Sequence, residues 1–136
     1  MAAVKELIRA EADGRISFGD YTLEAKTKKS DFEFEGNLYK VKTFRELTRL
    51  ERNEMFVYES EPGSAVLEFD ETEDTFAFSV EAPEDIQITV QADPETEYDI
   101  YINGELKDTQ KSNLGGKLSF SVDPGNDAAH VEISRK

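Results

Sequence analysis

Apolar residues recur at every second position through most of this chain, most plainly from Glu97 to Val122. Tyr98, Ile100 and Ile102 alternate with Asp99 and Tyr101, and Leu118, Phe120 and Val122 alternate with Ser119 and Ser121. That period sets the apolar residues on one face of a strand. Asn103-Gly104 predicts a tight hairpin turn into Leu106–Thr109, because both residues tolerate the positive φ of a type I′ turn. Asn113-Leu114-Gly115-Gly116 predicts the next turn. The same alternation marks Ala65/Leu67/Phe69, Phe76/Phe78/Val80, Ile86/Ile88/Val90 and Val131/Ile133. Residues 63–136 therefore read as seven short strands, the pattern of an immunoglobulin-like or fibronectin-like β-sandwich. Gln87, Thr89, Gln91, Ser119 and Ser121 are expected on the solvated faces.

Residues 1–62 read as a small antiparallel β unit. Asp13-Gly14 predicts a hairpin between Glu6–Glu11 and Arg15–Phe18, with Ile16 and Phe18 on one face, although Leu7-Ile8 also suits a short helix. Tyr21, Leu23 and Ala25 predict a strand, Lys28-Lys29-Ser30 its polar tip, Phe32 and Phe34 the return, and Gly36-Asn37 the turn into Tyr39, Val41 and Thr43. Residues 44–53 carry two readings. Thr43 with Glu46 fits a helix-capping box and Phe44, Leu47 and Leu50 recur at helical spacing, but a hairpin through Asn53-Glu54 fits as well and is favoured. Every Gly and Pro lies between alternating runs, as sheet punctuation requires. Glu61-Pro62-Gly63-Ser64 is the expected boundary between the halves.

Nine Phe and five Tyr supply enough apolar area for an all-β core despite 34% charged residues. There is no Cys, which removes disulfides, thiolate metal sites and a Cys nucleophile. Met1–Ala10 carries Lys5, Glu6 and Arg9 without an apolar run, which predicts no signal peptide and a cytoplasmic protein of bacterial type. No stretch approaches membrane-spanning length. The net charge of −14 is uneven: residues 1–60 hold 11 Lys and Arg against 12 Asp and Glu, residues 61–136 hold 5 against 18, so the second stretch carries −13. Such a surface repels phosphate backbones and suits a cationic protein surface.

Chemistry-bearing motifs are sparse. His130 is the only His and alternates with Val131 and Ile133, so it is expected to point outward, with no serine placed for a triad. Asp70, Glu71, Glu73 and Asp74, and Asp123 with Asp127, lack the spacing of a calcium loop and read as solvated turns. Gly115-Gly116 lacks the helix start that phosphate binding uses. No cofactor or metal is expected. The candidate binding residues are the aromatics Tyr58, Tyr101 and Phe56, with Tyr58 and Phe56 expected on one face of their strand and able to stack on a ring.

Arg15-Ile16-Ser17-Phe18-Gly19-Asp20-Tyr21, Leu38 to Phe44, Phe56 to Ser60 with Pro62-Gly63, and Asn113 to Ser119 resemble stretches of small uncharacterised bacterial all-β proteins. Some of these carry the label endosialidase or endosialidase catalytic β chain. The resemblance implies glycan binding or a sialidase-like hydrolase. Sialidases resemble propellers with a Tyr nucleophile, an arginine cluster and Trp-containing Asp boxes. Here there is no Trp, no Asp box, and no triad spacing among Arg9, Arg15, Arg45 and Arg49. The expectation is therefore a non-catalytic module contacting a protein partner or itself, ahead of a glycan, and neither nucleic acid nor membrane.

Overall fold

The computed structural model describes residues 4–12, 14–125 and 128–136. Among these residues thirteen strands run in order: β1 (Ile8–Ala10), β2 (Ile16–Phe18), β3 (Thr27–Phe34), β4 (Asn37–Phe44), β5 (Leu47–Arg52), β6 (Met55–Glu61), β7 (Ala65–Glu71), β8 (Thr75–Glu81), β9 (Ile86–Gln91), β10 (Glu97–Ile102), β11 (Glu105–Lys111), β12 (Lys117–Val122) and β13 (Ala129–Arg135). They form two antiparallel sheets, one of seven strands in the order β1-β2-β7-β8-β13-β10-β11 and one of six in the order β12-β9-β6-β5-β4-β3. A single cluster of buried side chains joins the sheets. Across it Phe18 of β2 meets Tyr58 of β6 edge-on at 5.4 Å, and Tyr58 meets Phe78 of β8 at 5.8 Å.

The seven runs read in residues 63–136 are β7 to β13, five in one sheet and two in the other. Their inward residues Phe76, Phe78, Val80, Ile86, Ile88, Val90, Leu118, Phe120, Val122, Val131 and Ile133 are buried. Strands from both halves are neighbours in both sheets: β2 pairs with β7 (Phe18 opposite Val66) and β6 with β9 (Tyr58 opposite Val90). The expected boundary at Glu61–Ser64 is the crossover by which the chain leaves the six-stranded sheet for the other. Its Glu61–Pro62 bond is cis.

Residues 44–53 hold no helix: Phe44 ends β4, Arg45 and Glu46 turn the chain into β5, and Asn53 and Glu54 both adopt positive φ (53° and 68°) in the β5–β6 turn, as a type I′ hairpin requires. The N-terminal hairpin pairs Ile8 with Phe18 and Ala10 with Ile16; Asp13 lies outside the described residues.

Three expectations of register are corrected. Residues 21–26 are loop, and Lys28, Lys29 and Ser30 lie inside β3. An edge strand exposed on both sides has no need of the alternation that normally reveals a strand. The turn into β4 is Glu35-Gly36 (φ 51° and 81°), one residue before the expected position. In β7 the buried pair is Val66 and Phe69, with Leu67 half-exposed. The cause is a bulge at Glu68 (φ 56°), whose amide donates to Ser17 Oγ at 2.9 Å. A bulge inserts one residue and so flips the face of everything beyond it.

Candidate binding surfaces

The three aromatics do not form a common site. Tyr58 is fully buried. Its hydroxyl lies 2.9 Å from Ser64 Oγ, which in turn lies 2.7 Å from Ser60 Oγ. The same buried network runs on through Thr48 Oγ1, which donates to the Ser64 carbonyl at 2.9 Å, accepts the Ser64 amide at 3.0 Å and lies 2.8 Å from Thr43 Oγ1. Thr43 Oγ1 accepts the Asp20 amide at 2.9 Å. Burial pushes the Tyr58 phenol far above its ordinary range, with the serine hydroxyls opposing, so it stays neutral at physiological pH and acts as a structural pin.

Phe56 lies on the other side of the sheet from Tyr58. The β5–β6 register shifts between Leu50 and Glu51, so that Tyr58 opposes buried Leu50 while Phe56 opposes outward Glu51. This bulge is the physical reason that two residues two apart lie on opposite faces. Outside, Arg49 Cζ and Lys117 Nζ stand 5.3 and 5.0 Å from the Phe56 ring centroid. Arg49 is also ion-paired with Glu59 at 3.6 Å and has Nε 3.2 Å from Glu51, off the axis of a hydrogen bond. The cations shield the ring that was expected to offer a stacking platform. Tyr101 is half-exposed on the outer face of the seven-stranded sheet, beside Leu106 and Glu132.

The outer face of the six-stranded sheet carries a feature that sequence spacing does not show. Lys28, Lys42 and Arg49 stand directly opposite one another on β3, β4 and β5. Strands lie about 5 Å apart, so this is a row of like charges that costs stability. The outer face of the other sheet is acidic: Asp99 and Glu132 lie between inward Ile100, Val131 and Ile133, and Asp70 faces Ala77.

His130 is exposed beside Ser79, and its amide donates to Asn103 Oδ1 at 2.9 Å. In the acidic turn, Glu71 pairs with Arg52 at 3.0 Å and Asp74 with Arg135 at 3.0 Å. Asp123 Oδ1 accepts the Gly125 amide at 3.2 Å, while Asp127 lies outside the described residues. Among the described residues no group of three or more His, Asp or Glu side chains is arranged to hold a metal ion.

The four strands that end the sheets differ in how they are finished. β1 has three residues. β3 is bulged between Lys29 and Phe32, with Asp31 at φ 59°. β11 is bulged against β10 and carries Glu105, Lys107, Asp108 and Lys111. Shortness, bulges and charge are the devices that keep a free edge from recruiting another strand. β12 is neither short nor bulged: its register with β9 runs unbroken from Lys117–Gln91 to Val122–Ile86, and its one charge, Lys117, lies at its start. Open grooves of about 410 and 520 Å³ lie along it, walled by β10 and β11. No family model, curated protein or solved structure matches this chain.

Proposed function

We propose that this protein is a non-catalytic binding module that contacts a protein partner through a sheet edge, much as immunoglobulin-like sandwiches present edges and faces. The observation that carries this reading is β12, a regular six-residue strand left open among the described residues while the other three sheet edges are blunted. The spread of the ionisable side chains over two outer faces supports it, as does the use of buried hydroxyls to tie strands together. Tyr58, sealed in the core, gives a sugar ring no surface to stack on. The test is capture from lysate by the immobilised protein at low and high salt, beside a fluorogenic sialoside assay and a glycan array. Specific protein capture without turnover is expected. Strong sialoside hydrolysis, or glycan binding with no protein captured, would overturn the reading.

A further inference from the structure

We infer that the slot beneath β11, along the free edge of β12, receives one extended segment of a cationic protein partner as a seventh strand of the six-stranded sheet. The inference rests on the binding-module reading and names its site and partner chemistry.

The backbone of β12 is set for this. The Gly116 carbonyl accepts the Ala92 amide at 2.6 Å, so in an antiparallel ladder Leu118, Phe120 and Val122 bond to β9 and the residues between them turn their groups the other way. Lys117 shows that direction: its carbonyl accepts the Asn113 amide at 3.1 Å and its amide donates to Asn113 Oδ1 at 2.9 Å, on the side away from β9. Asn113 thus closes one end of the edge. Beyond it the amides and carbonyls of Ser119 and Ser121 face the vacant side, and among the described residues β12 has no strand neighbour but β9.

The slot also selects what can enter. The seven-stranded sheet overhangs its partner: Glu105 to Thr109 of β11 are all exposed, although Asp108 opposes inward Ile100. Ile100, Ile102 and Phe120 line the slot from within, and Lys107, Asp108 and Gln110 from the overhang. Whole sandwiches joined edge to edge through β12 would be related by a two-fold axis normal to the sheet, which would drive each β11 into the β10–β11 ribbon of the other. A single strand meets no such obstacle.

Charge completes the specification. Glu105 and Asp123 border the slot with Lys107, whose Nζ is 3.2 Å from Glu105, and Asp108 adds a further carboxylate. The lining is net acidic within the half of the chain that carries −13. The fitting segment alternates apolar residues, directed at Phe120, with outward Lys or Arg near Asp123.

The probe is a seven-residue peptide alternating valine with lysine and threonine, compared with a counterpart bearing glutamate for lysine. Binding is read by titration and by amide hydrogen exchange at Ser119 and Ser121. The lysine peptide is expected to slow exchange at both amides and to bind at least tenfold tighter than the glutamate peptide. Ser119→Pro, which removes an outward donor and spares the β9 ladder, and Asp123→Lys, which leaves the backbone intact should the proline variant not fold, are each expected to lose at least tenfold. Unchanged exchange, equal binding of the two peptides, or undiminished binding by Asp123→Lys would overturn the inference. Protein capture that persists in Ser119→Pro and Asp123→Lys would overturn this site while leaving the binding-module reading standing.

Discussion

The hydroxyls of Tyr58 and Ser64 lie 2.9 Å apart at the centre of the sandwich, joining β6 to the crossover that follows it. Tyr58→Phe should cost about 1 kcal/mol, because Ser64 keeps its bond to Ser60. Tyr58→Ala should cost roughly 3 to 5 kcal/mol, because the ring also packs edge-on against Phe18 and Phe78. Denaturant melts of the two variants separate the hydroxyl from the ring.

The same crossover is held by two close backbone approaches. A Cβ on Gly63 would overlap the Phe44 carbonyl oxygen, and one on Gly19, which also sits at φ 100°, would overlap the Ser64 carbonyl oxygen. Gly63→Ala and Gly19→Ala should each destabilise by about 2 to 4 kcal/mol. Gly36→Ala, where nothing lies within 4 Å but φ is 81°, should cost only about 1 kcal/mol. A Gly63→Ala loss no larger than that of Gly36→Ala would show that the close approach to Phe44 relaxes without cost, since Gly63 has no positive φ to strain.

Register is checked by truncation. Ile100→Ala and Phe120→Ala, at 1% and 6% exposure, should each lose roughly 2 to 5 kcal/mol. Exposed Ser119→Ala should change stability by well under about 1 kcal/mol. The reverse order in thermal melts would displace β10 or β12 by one residue.

The cationic row makes a prediction of opposite sign. Lys42 faces Lys28 on one side and Arg49 on the other, so Lys42→Glu should stabilise the protein by about 0.3 to 1 kcal/mol at low salt, and less as salt rises. A loss at every ionic strength would show that the lysine stem, not its charge, matters there.

Acid sensitivity should reach the N-terminal hairpin through Glu11. Its carboxylate accepts the Ser17 hydroxyl and pairs with Arg9 at 3.0 Å. These contacts, Ser17 first, outweigh partial burial and hold its pKa below the ordinary value. The folded state therefore binds its proton less readily than the unfolded chain. The resulting stability is fully present above the unfolded glutamate pKa, near about 4.3, and is lost as pH falls through the lower folded value. Glu11→Gln should flatten that part of the stability–pH curve; an unchanged slope would remove Glu11 from the acid response.

Local rules were legible in the sequence, and long-range ones were not. Alternation in Ile86–Val90 and Leu118–Val122 and the turn residues Asn103-Gly104 were enough to place strands, since neighbouring residues determine both. The bulges at Glu68 and beside Phe56 were hidden because one inserted residue leaves composition unchanged while reversing faces. β3 was displaced because Lys28 and Lys29 sit in a strand that buries almost nothing. Pairing β2 with β7 and β6 with β9 depends on residues tens of positions apart. The β12 slot was invisible for the same reason: Ser119 and Ser121 read as outward and polar, but only the sheet order leaves their backbone unpaired.

β13 lies between β8 and β10, and among the described residues it alone joins the β10–β11 ribbon to the rest of its sheet. A chain ending before residue 129 would split this sheet into the four strands β1-β2-β7-β8 and the β10–β11 ribbon, with Phe76, Phe78 and Ile100 stripped of the strand that opposes them. The seven residues of β13 thus serve as a keystone: their removal would dismantle the wall that overhangs the slot, and partner capture and global stability would be lost together.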